Sequence, residues 1–412
     1  MKQQWKKGVS HLWHAFFSGF WNTFLLIARY NETSYNKIMN TQDKQQRKHK
    51  RPWRRITAAV ILLLMSAVLM ILSARVPDFA EWYSEYIYPL AVNTIGRVSG
   101  MVPFPVSEIG IYILLATFFA TLMRMIIKAA GGRKKGKASP ARFFVSWISG
   151  VLLAAGILAF LYTACCGINY HRRSFSGEEG IITYQYSADD LKEICVWVTE
   201  EVNARADVVT RDADGLLVLD ASERDGGVEA MQQLAVKFPS LAGYYPQPKE
   251  LLISEILSYQ GLTGIYLPFT VEANYNGDMP AYDKPFTVCH ELSHLRGFME
   301  EQEANFIAFL ACIGSERTDF QYSGYLSGWV YCMNALYRAD YESWQEVRGM
   351  LDEAAEPDLT ANNEFWDRYE GTISETAERI NDTYLKVNGQ ADGVQSYNRM
   401  VDLIVAYFGD DI

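Results

Sequence analysis

The chain contains a short motif whose residue types and spacing could build a metal site. His290, Glu291 and His294 form a His-Glu-x-x-His sequence within the segment TVCHELSHLRGF, residues 287–298. Because residues four apart lie on the same face of a helix, the two imidazoles can bind one metal ion together. Glu291 directly follows the first histidine, so its carboxylate can reach a water molecule on that ion. The motif therefore predicts a catalytic zinc site with Glu291 as the general base.

A carboxylate that follows the motif would complete this site as its third protein ligand. Glu300 occupies the place where other zinc enzymes have a third histidine, and Glu303 lies on a different helix face from Glu301. Glu301 begins the pattern Glu-x-x-Ala-Asn, in which Asn305 lies one turn later. From there the Asn305 amide could hydrogen-bond a ligand histidine or orient Glu301. We expect Glu301 to be the ligand and one Zn²⁺ to bind per chain, with Glu303 and Glu300 as the alternatives.

The reaction expected of such a site is the hydrolysis of a peptide bond by a zinc-activated water molecule, whose proton Glu291 accepts. A tyrosine or histidine often helps to hold the negative oxygen that develops on the substrate. Tyr266, Tyr322 and Tyr325 are candidates for this role among the 25 tyrosines of the chain. The substrate would be a peptide or protein close to the outer membrane surface.

Charge divides the 412 residues into two different parts. Residues 174–412 hold 15 Lys and Arg against 42 Asp and Glu, whereas the first 55 residues hold 12 Lys and Arg against two acids. Phosphates would be repelled by the acidic part, so nucleic-acid binding by it is disfavoured. The six cysteines form no CxxC pair and no pattern typical of a disulfide framework.

Three apolar runs in the first part are close to the length that crosses a bilayer. They cover residues 56–74, about 106–127 and about 143–166. Residues 76–105, between the first two runs, contain acids and many aromatic residues, which is typical of an external loop with interfacial anchors. Glu108 stands at the start of the second run and is expected at the membrane interface.

Basic residues precede the first span and fill the loop between the second and third spans. By the positive-inside rule both segments are cytoplasmic, so residues 171–412 are expected on the extracytoplasmic side of the lipid bilayer of the cell membrane. The aromatic segment 12–28 is interpreted as an interfacial helix, with a secretory signal as the alternative. The expected regions are a basic cytoplasmic part (1–55), a three-helix membrane part (56–170) and an external domain (171–412).

The external part shows mainly helical periodicity with two candidate strands, at residues 251–253 and 264–270. Pro268 indicates that the second of these is an edge strand, against which an extended peptide could bind by strand addition. The metal helix is expected at about residues 284–296 and ends at Gly297; the next helix covers about 301–313. Further helices are expected before this motif, at about residues 188–204, and after it, at about residues 322–339, 341–355, 360–388 and 394–408. Charged residues around the motif exclude a site inside the bilayer core.

Most of the chain also resembles an uncharacterised bacterial family of membrane proteins, a domain of unknown function with three spans and an external HExxH domain. The matching segments are residues 264–274, 285–298, 301–312, 322–326, 381–390 and 393–397. The segment from Glu301 to Asn305 is similar to the ExxAN helix of gluzincin peptidases. That similarity implies His290, His294 and Glu301 as ligands and Glu291 as base. Together these features predict a three-span helical anchor with a mainly α, α+β zincin-like external domain that contains a small sheet.

Two other functions compete with the membrane-anchored peptidase. The first is a non-catalytic sensor that keeps a metal for structural reasons; an intact Glu291 argues against it, because a structural site needs no base. The second is an envelope scaffold whose spans and acidic domain recruit partners without a metal. Metal content separates the scaffold from the other two.

Overall fold

The structure is a computed structural model that describes residues 41–134 and 140–409. The segment 12–28, interpreted above as an interfacial helix, lies outside these residues, as does most of the basic region 1–55. Residues Thr57–Ile412 form one compact unit, which contains the second and third predicted spans, nearly all of the first, and the part of the chain that follows them.

Three helices in the described part of the chain are long and apolar enough to cross a membrane. They are α1 (Thr41–Arg75), α5 (Val106–Lys134) and α6 (Pro140–Cys165). Their apolar windows are Arg51–Arg75, Val106–Gly131 and Pro140–Cys165, and few side chains in them are buried within the protein. The three predicted spans are therefore confirmed as apolar helices, which indicates a membrane protein.

The segment between the first two spans is not the open loop that its composition indicated. It folds into α2 (Phe79–Tyr86), α3 (Tyr88–Ala91), a π-turn (Val92–Gly96) and α4 (Arg97–Gly100). Tyr83 and Tyr88 are buried, and the Tyr83 hydroxyl donates to the carbonyl of Ala164 at 2.9 Å. These tyrosines therefore anchor the segment to the protein.

After the third span the chain is mainly helical and contains one small sheet. The short helices are α7 (Phe175–Glu179), α10 (Glu255–Ser258) and the 3-10 segments Gly167–His171, Pro239–Leu241, Glu353–Ala355 and Gly393–Arg399. The longer helices are α8 (Ala188–Ala206), α9 (Glu223–Lys237), α11 (Asp283–Leu295), α12 (Glu301–Ile313), α13 (Thr318–Ala339), α14 (Tyr341–Arg348), α15 (Glu356–Asp367), α16 (Thr372–Val387) and α17 (Met400–Phe408).

The sheet has three strands in the order β1-β3-β2: β1 (Lys249–Glu250), β2 (Gly264–Leu267) and β3 (Glu272–Tyr275). β2 pairs with β3 in antiparallel register, with Gly264 opposite Tyr275, and forms one edge of the sheet. β1 is parallel to β3. The strand predicted at residues 251–253 is wrong by two residues, since β1 covers Lys249–Glu250 and the N–H groups of Leu252 and Ile253 bind Glu108 instead. β3 was not predicted.

The helix α11 is the centre of the core. It packs against α9, α12, α13, β2 and β3, and Val288, Cys289, Leu292 and Leu295 on it are fully buried. The approach of α9 needs a glycine, because a Cβ on Gly227 would lie 2.1 Å from the Val288 side chain. Neighbours on several sides therefore fix the orientation of α11.

Two buried acids attach the start of α5 to the sheet. The carboxylate of Glu272 on β3 accepts hydrogen bonds from the N–H groups of Val106 and Ser107, at 3.1 and 2.7 Å. Glu108 accepts from the N–H groups of Leu252 and Ile253, at 2.7 and 3.0 Å. A helix N-terminus favours negative charge, and Glu272 satisfies two free N–H groups of α5, whereas Glu108 binds the backbone that follows β1. The membrane helices and the sheet are therefore joined by hydrogen bonds.

Candidate metal centre

The helix α11 presents the two histidines of the motif to the same space. The ring centroids of His290 and His294 lie 4.6 Å apart, with the rings nearly perpendicular. Both side chains are buried, as is Glu291 between them in sequence. The spacing of four places the imidazoles one turn apart, as expected for a helix.

A tight turn returns the chain to this pair. Gly297 has a φ of 93°, a left-handed conformation that ends α11 at little cost because glycine has no Cβ. The N–H of Phe298 donates to the carbonyl of Ser293 and that of Gly297 to His294, which closes the helix end. Three residues after Phe298, α12 begins at Glu301. The short connection thus delivers the Glu301 side chain directly to the histidines.

The ligand atoms of His290, His294 and Glu301 lie within 4.8 Å of one another. The Nε2 atoms of the two histidines are 3.3 and 3.4 Å from the Oε2 atom of Glu301. Two atoms that bind one tetrahedral zinc at about 2.0–2.1 Å are separated by about 3.3–3.4 Å, so the spacing fits this ion. The Oε2 atom is buried and has no hydrogen-bond partner among the described residues. The donor set and its spacing therefore fit zinc.

A backbone contact fixes the protonation of one ligand. The Nδ1 atom of His294 lies 2.8 Å from the carbonyl oxygen of Phe298. A carbonyl oxygen only accepts, so Nδ1 carries the proton and donates it, which leaves Nε2, the nitrogen that faces Glu301, as the one that could bind a metal ion. The Asn305 amide lies beside His290 and donates to Tyr331 Oη and to the Tyr397 carbonyl at 3.3 and 3.5 Å.

The electrostatics of the cluster favour a positive charge in it. Burial lowers the pKa of His294, but the carboxylates of Glu301 and Glu291 outweigh that effect and raise it above its usual value. Burial alone would raise the pKa of Glu301, whereas His294 and His290 lower it well below its usual range. Because two carboxylates face this buried space, a cation bound by the histidines would be stabilised there.

The Glu291 carboxyl lies between the cluster and the edge strand. Burial raises its pKa to about 8, His294 opposes the shift and Glu301 adds to it. Its Oε2 atom has no hydrogen-bond partner in the part of the chain that the structure describes. A Cβ on Gly264, the first residue of β2, would lie 2.5 Å from the Oε1 atom of Glu291. This buried carboxyl is therefore available to exchange a proton beside the backbone of β2.

The two other candidate acids lie outside the cluster. The carboxylate of Glu303 accepts from the N–H and hydroxyl of Ser176, at 2.9 and 2.7 Å, and so ties α12 to α7. Glu300 precedes α12 and accepts from the Gln302 amide at 3.2 Å. Of the three candidates, Glu301 is the one whose carboxylate lies at the histidines.

The three candidate tyrosines have other contacts. The Tyr266 hydroxyl lies 2.9 Å from that of Tyr88 and donates to the carbonyl of Cys165 at 3.0 Å. Tyr322 donates to the Asp358 carboxylate at 2.8 Å. Tyr325 packs its ring against Trp197, Phe309 and the Arg205 guanidinium. These contacts do not bring any of the three hydroxyls to the histidines.

Two tyrosines that were not predicted for the site lie near it instead. Burial raises the pKa of Tyr397, and the charges of Glu301 and Glu291 raise it further. Burial raises the pKa of Tyr331 to about 12, the Asn305 bond opposes the shift and the charge of Glu301 adds to it. Tyr397 belongs to the segment GVQSY, which carried part of the family resemblance and was the available signal.

The cluster lies next to the ends of the spans. The thiol of Cys166, immediately after α6, lies 3.7 Å from the sulfur of Met299, two residues before Glu301. The hydroxyl of Tyr88 donates to the carbonyl of Leu295, next to His294, at 2.8 Å. The buried histidines and Glu301 are therefore held close to the point where the third span ends.

The fold and this site define a helical membrane protein with a small sheet and a buried His-His-Glu cluster. The chain belongs to the family described as Protein of unknown function (DUF3810), which it matches over residues 83–405. The match includes two of the apolar helices and every residue of the cluster. No curated protein and no solved structure matches the chain.

Proposed function

We propose that this chain is a zinc metallopeptidase of zincin-like, gluzincin type, anchored in the membrane by three spans. The observation that supports it is the spacing of 3.3 and 3.4 Å between the histidine nitrogens and Glu301 Oε2. A site of two histidines and one carboxylate leaves room for water or substrate, as in catalytic rather than structural zinc sites. His290, His294 and Glu301 would hold the ion.

When bound, zinc would supply Lewis-acid activation of a water molecule and of the substrate carbonyl. Glu291 would accept the proton of that water at its unpartnered Oε2 atom and later give it to the leaving amine. Asn305 holds Tyr331 and the backbone of Tyr397 beside the cluster.

The substrate class that fits is an extended peptide or protein segment. β2 is an edge strand, and its first residue lies against Glu291, so a peptide added along this edge would pass the general base. Because the cluster lies next to the end of the third span, this segment would be bound near the membrane surface. By the positive-inside rule, the basic residues before the first span favour a cytoplasmic N-terminus and a site on the outer side of the bacterial cell membrane.

The test uses the full chain in lipid nanodiscs, because the spans and the remainder form one compact unit. Zinc content and cleavage of a peptide library would be measured for the wild type and for Glu291→Gln. We expect one zinc per chain in both and hydrolysis in the wild type alone. Absence of zinc from the wild type would overturn the proposal and favour an envelope scaffold. Equal hydrolysis by both would overturn the role of Glu291, and zinc with no cleavage in either would favour a metal-binding sensor.

A further inference from the structure

An exposed apolar stripe runs along α16. Ile373, Ile380 and Val387 are 60%, 66% and 80% exposed and recur every seven residues. At 100° per residue these positions fall within a narrow arc, which also contains Tyr384. Charged residues and threonines occupy the remaining solvent-facing surface, and Leu385 is buried. The helix is therefore amphipathic, with an uncovered apolar face.

The end of α16 is attached to the end of the third span. The hydroxyl of Tyr162, in the last turn of α6, donates to Asn388 Oδ1 at 2.7 Å and to the Tyr384 hydroxyl at 3.3 Å. Tyr170, just beyond the span, also donates to Tyr384 at 3.3 Å. The C-terminal end of the stripe thus lies at the level where the third span leaves the apolar part of the membrane.

A second exposed apolar segment is attached to the start of the second span. Leu252, Ile253, Ile256 and Tyr259 are 60%, 46%, 43% and 47% exposed. The N–H groups of Leu252 and Ile253 donate to Glu108, in the first turn of α5. The start of α5 and the end of α6 lie on the same side of the membrane, because the two helices are consecutive spans of opposite direction. Both apolar segments therefore lie at one membrane surface.

The Leu252–Tyr259 segment also contacts the residues that immediately precede α16. The rings of Tyr259 and Tyr369 are in edge-to-face contact, with centroids 5.0 Å apart. Tyr369 lies just before α16, so the Leu252–Tyr259 segment adjoins the N-terminal end of the stripe. One surface, defined by residues 252–259 and the stripe of α16, thus connects the ends of two spans.

We infer that this surface lies in the lipid headgroup region and that its partner is the bilayer. Helices that lie in this plane have a narrow apolar face, a charged opposite face and aromatic residues between them. An uncovered apolar surface of this extent is costly in water, and lipid is the apolar phase that both attached spans already contact. The apolar side chains of both segments extend among the upper acyl chains, and the acids of α16 remain in water.

The test places a fluorescent label at single new cysteines in the full chain. The six native cysteines are all buried, so the label reports on the new position. Ile380→Cys and Ile256→Cys lie on the proposed surface, and Glu375→Cys lies on the opposite face of α16 as the matched control. Each is reconstituted at one chain per nanodisc, with and without phosphatidylcholine that carries a nitroxide on its acyl chain. The nitroxide lipid should lower the emission of the label roughly twofold at Ile380→Cys and Ile256→Cys, compared with discs without nitroxide, and should leave it unchanged at Glu375→Cys.

Equal emission with and without the nitroxide at both Ile380→Cys and Ile256→Cys would overturn the inference. Self-quenching of the label when two chains share a disc, without lipid quenching, would identify a second copy as the occupant and would also overturn it. The readout needs neither zinc nor hydrolysis, so its failure is distinguishable from failure of the peptidase proposal. All three substituted side chains are exposed, so their replacement leaves the core packing unchanged.

Discussion

The Nε2 atom of His294 and the Oε2 atom of Glu301 lie 3.4 Å apart across a single tight turn. This arrangement needs Gly297 in its left-handed conformation, since it ends α11 and lets α12 begin four residues later. The His294 ring is also held by its Nδ1 hydrogen bond to Phe298, inside the same turn. The position of His294 and Glu301, two of the candidate metal ligands, is therefore determined within one local segment of the chain.

Three neighbouring glutamates allow the ligand assignment to be tested with matched variants. Replacing a residue that only hydrogen-bonds a metal ligand typically lowers metal affinity by roughly 10–100-fold. Glu301→Gln removes the carboxylate at the histidines itself, so we expect its zinc affinity to fall by more than that. Glu300→Gln and Glu303→Gln should keep near wild-type affinity, because their carboxylates lie outside the cluster. Zinc titration of the three full-length variants with a competing chelator is the measurement. An equal loss in Glu303→Gln would reject the assignment of Glu301.

The contact between Gly264 and Glu291 predicts a separation of activity from metal binding. Gly264→Ala would place a Cβ 2.5 Å from Glu291 Oε1, so the carboxylate has to move away from its position. We expect hydrolysis to fall by about 10²-fold, the order of effect of misplacing a catalytic group, with zinc content unchanged. Gly349→Ala, whose Cβ would make ordinary contacts, is the control. Unchanged hydrolysis in Gly264→Ala would contradict the role of Glu291 beside β2.

The sequence predicted those parts of the fold whose signals are local. The spans follow from uninterrupted apolar runs, and α11, its end at Gly297 and α12 follow from spacing and one glycine. β3 was missed because it has only four residues, and its alternation of polar Glu272 and Asn274 with Ala273 and Tyr275 is typical of a half-exposed strand. All four residues are instead buried, by pairing with β1 and β2 and by packing against α11. Tyr397 was missed because it reaches the cluster from about a hundred residues away and is one of 25 tyrosines.

Tyr397 is the tyrosine to which the proposed function would give a role in catalysis. Its carbonyl accepts from Asn305 at 3.5 Å, and burial together with the charges of Glu301 and Glu291 raises the pKa of its phenol, so the hydroxyl stays protonated and able to donate. We expect Tyr397→Phe to lower kcat by about 10²-fold with little change in KM, because a donor to a developing oxyanion acts in the transition state. Tyr322→Phe, whose hydroxyl binds Asp358 instead, should leave kcat within about twofold of the wild type. A larger loss in Tyr322→Phe than in Tyr397→Phe would exclude this assignment.

The Lys249–Glu272 pair predicts how stability depends on pH. Burial raises the pKa of Glu272, but Lys249, Thr270 and the Ser107 N–H outweigh it and lower the value below 4.5. The folded state therefore favours the ionised carboxylate, so this stabilisation is present above pH 4.5 and is lost as the pH falls through the lower folded-state pKa.

The wild-type melting temperature in nanodiscs should thus fall on acidification below about pH 4.5, and more steeply than that of Glu272→Gln. At neutral pH, Glu272→Gln should cost about 3–5 kcal/mol, because it leaves the Lys249 ammonium buried without a counter-charge. The paired change Lys249→Met with Glu272→Leu removes both charges and should recover most of that loss. Both Glu272 variants weaken the contacts with the N–H groups of α5, so recovery in the paired variant would show that the loss comes from the missing counter-charge. If the paired variant melts no higher than Glu272→Gln, the attachment of α5, and not the ion pair, stabilises this junction.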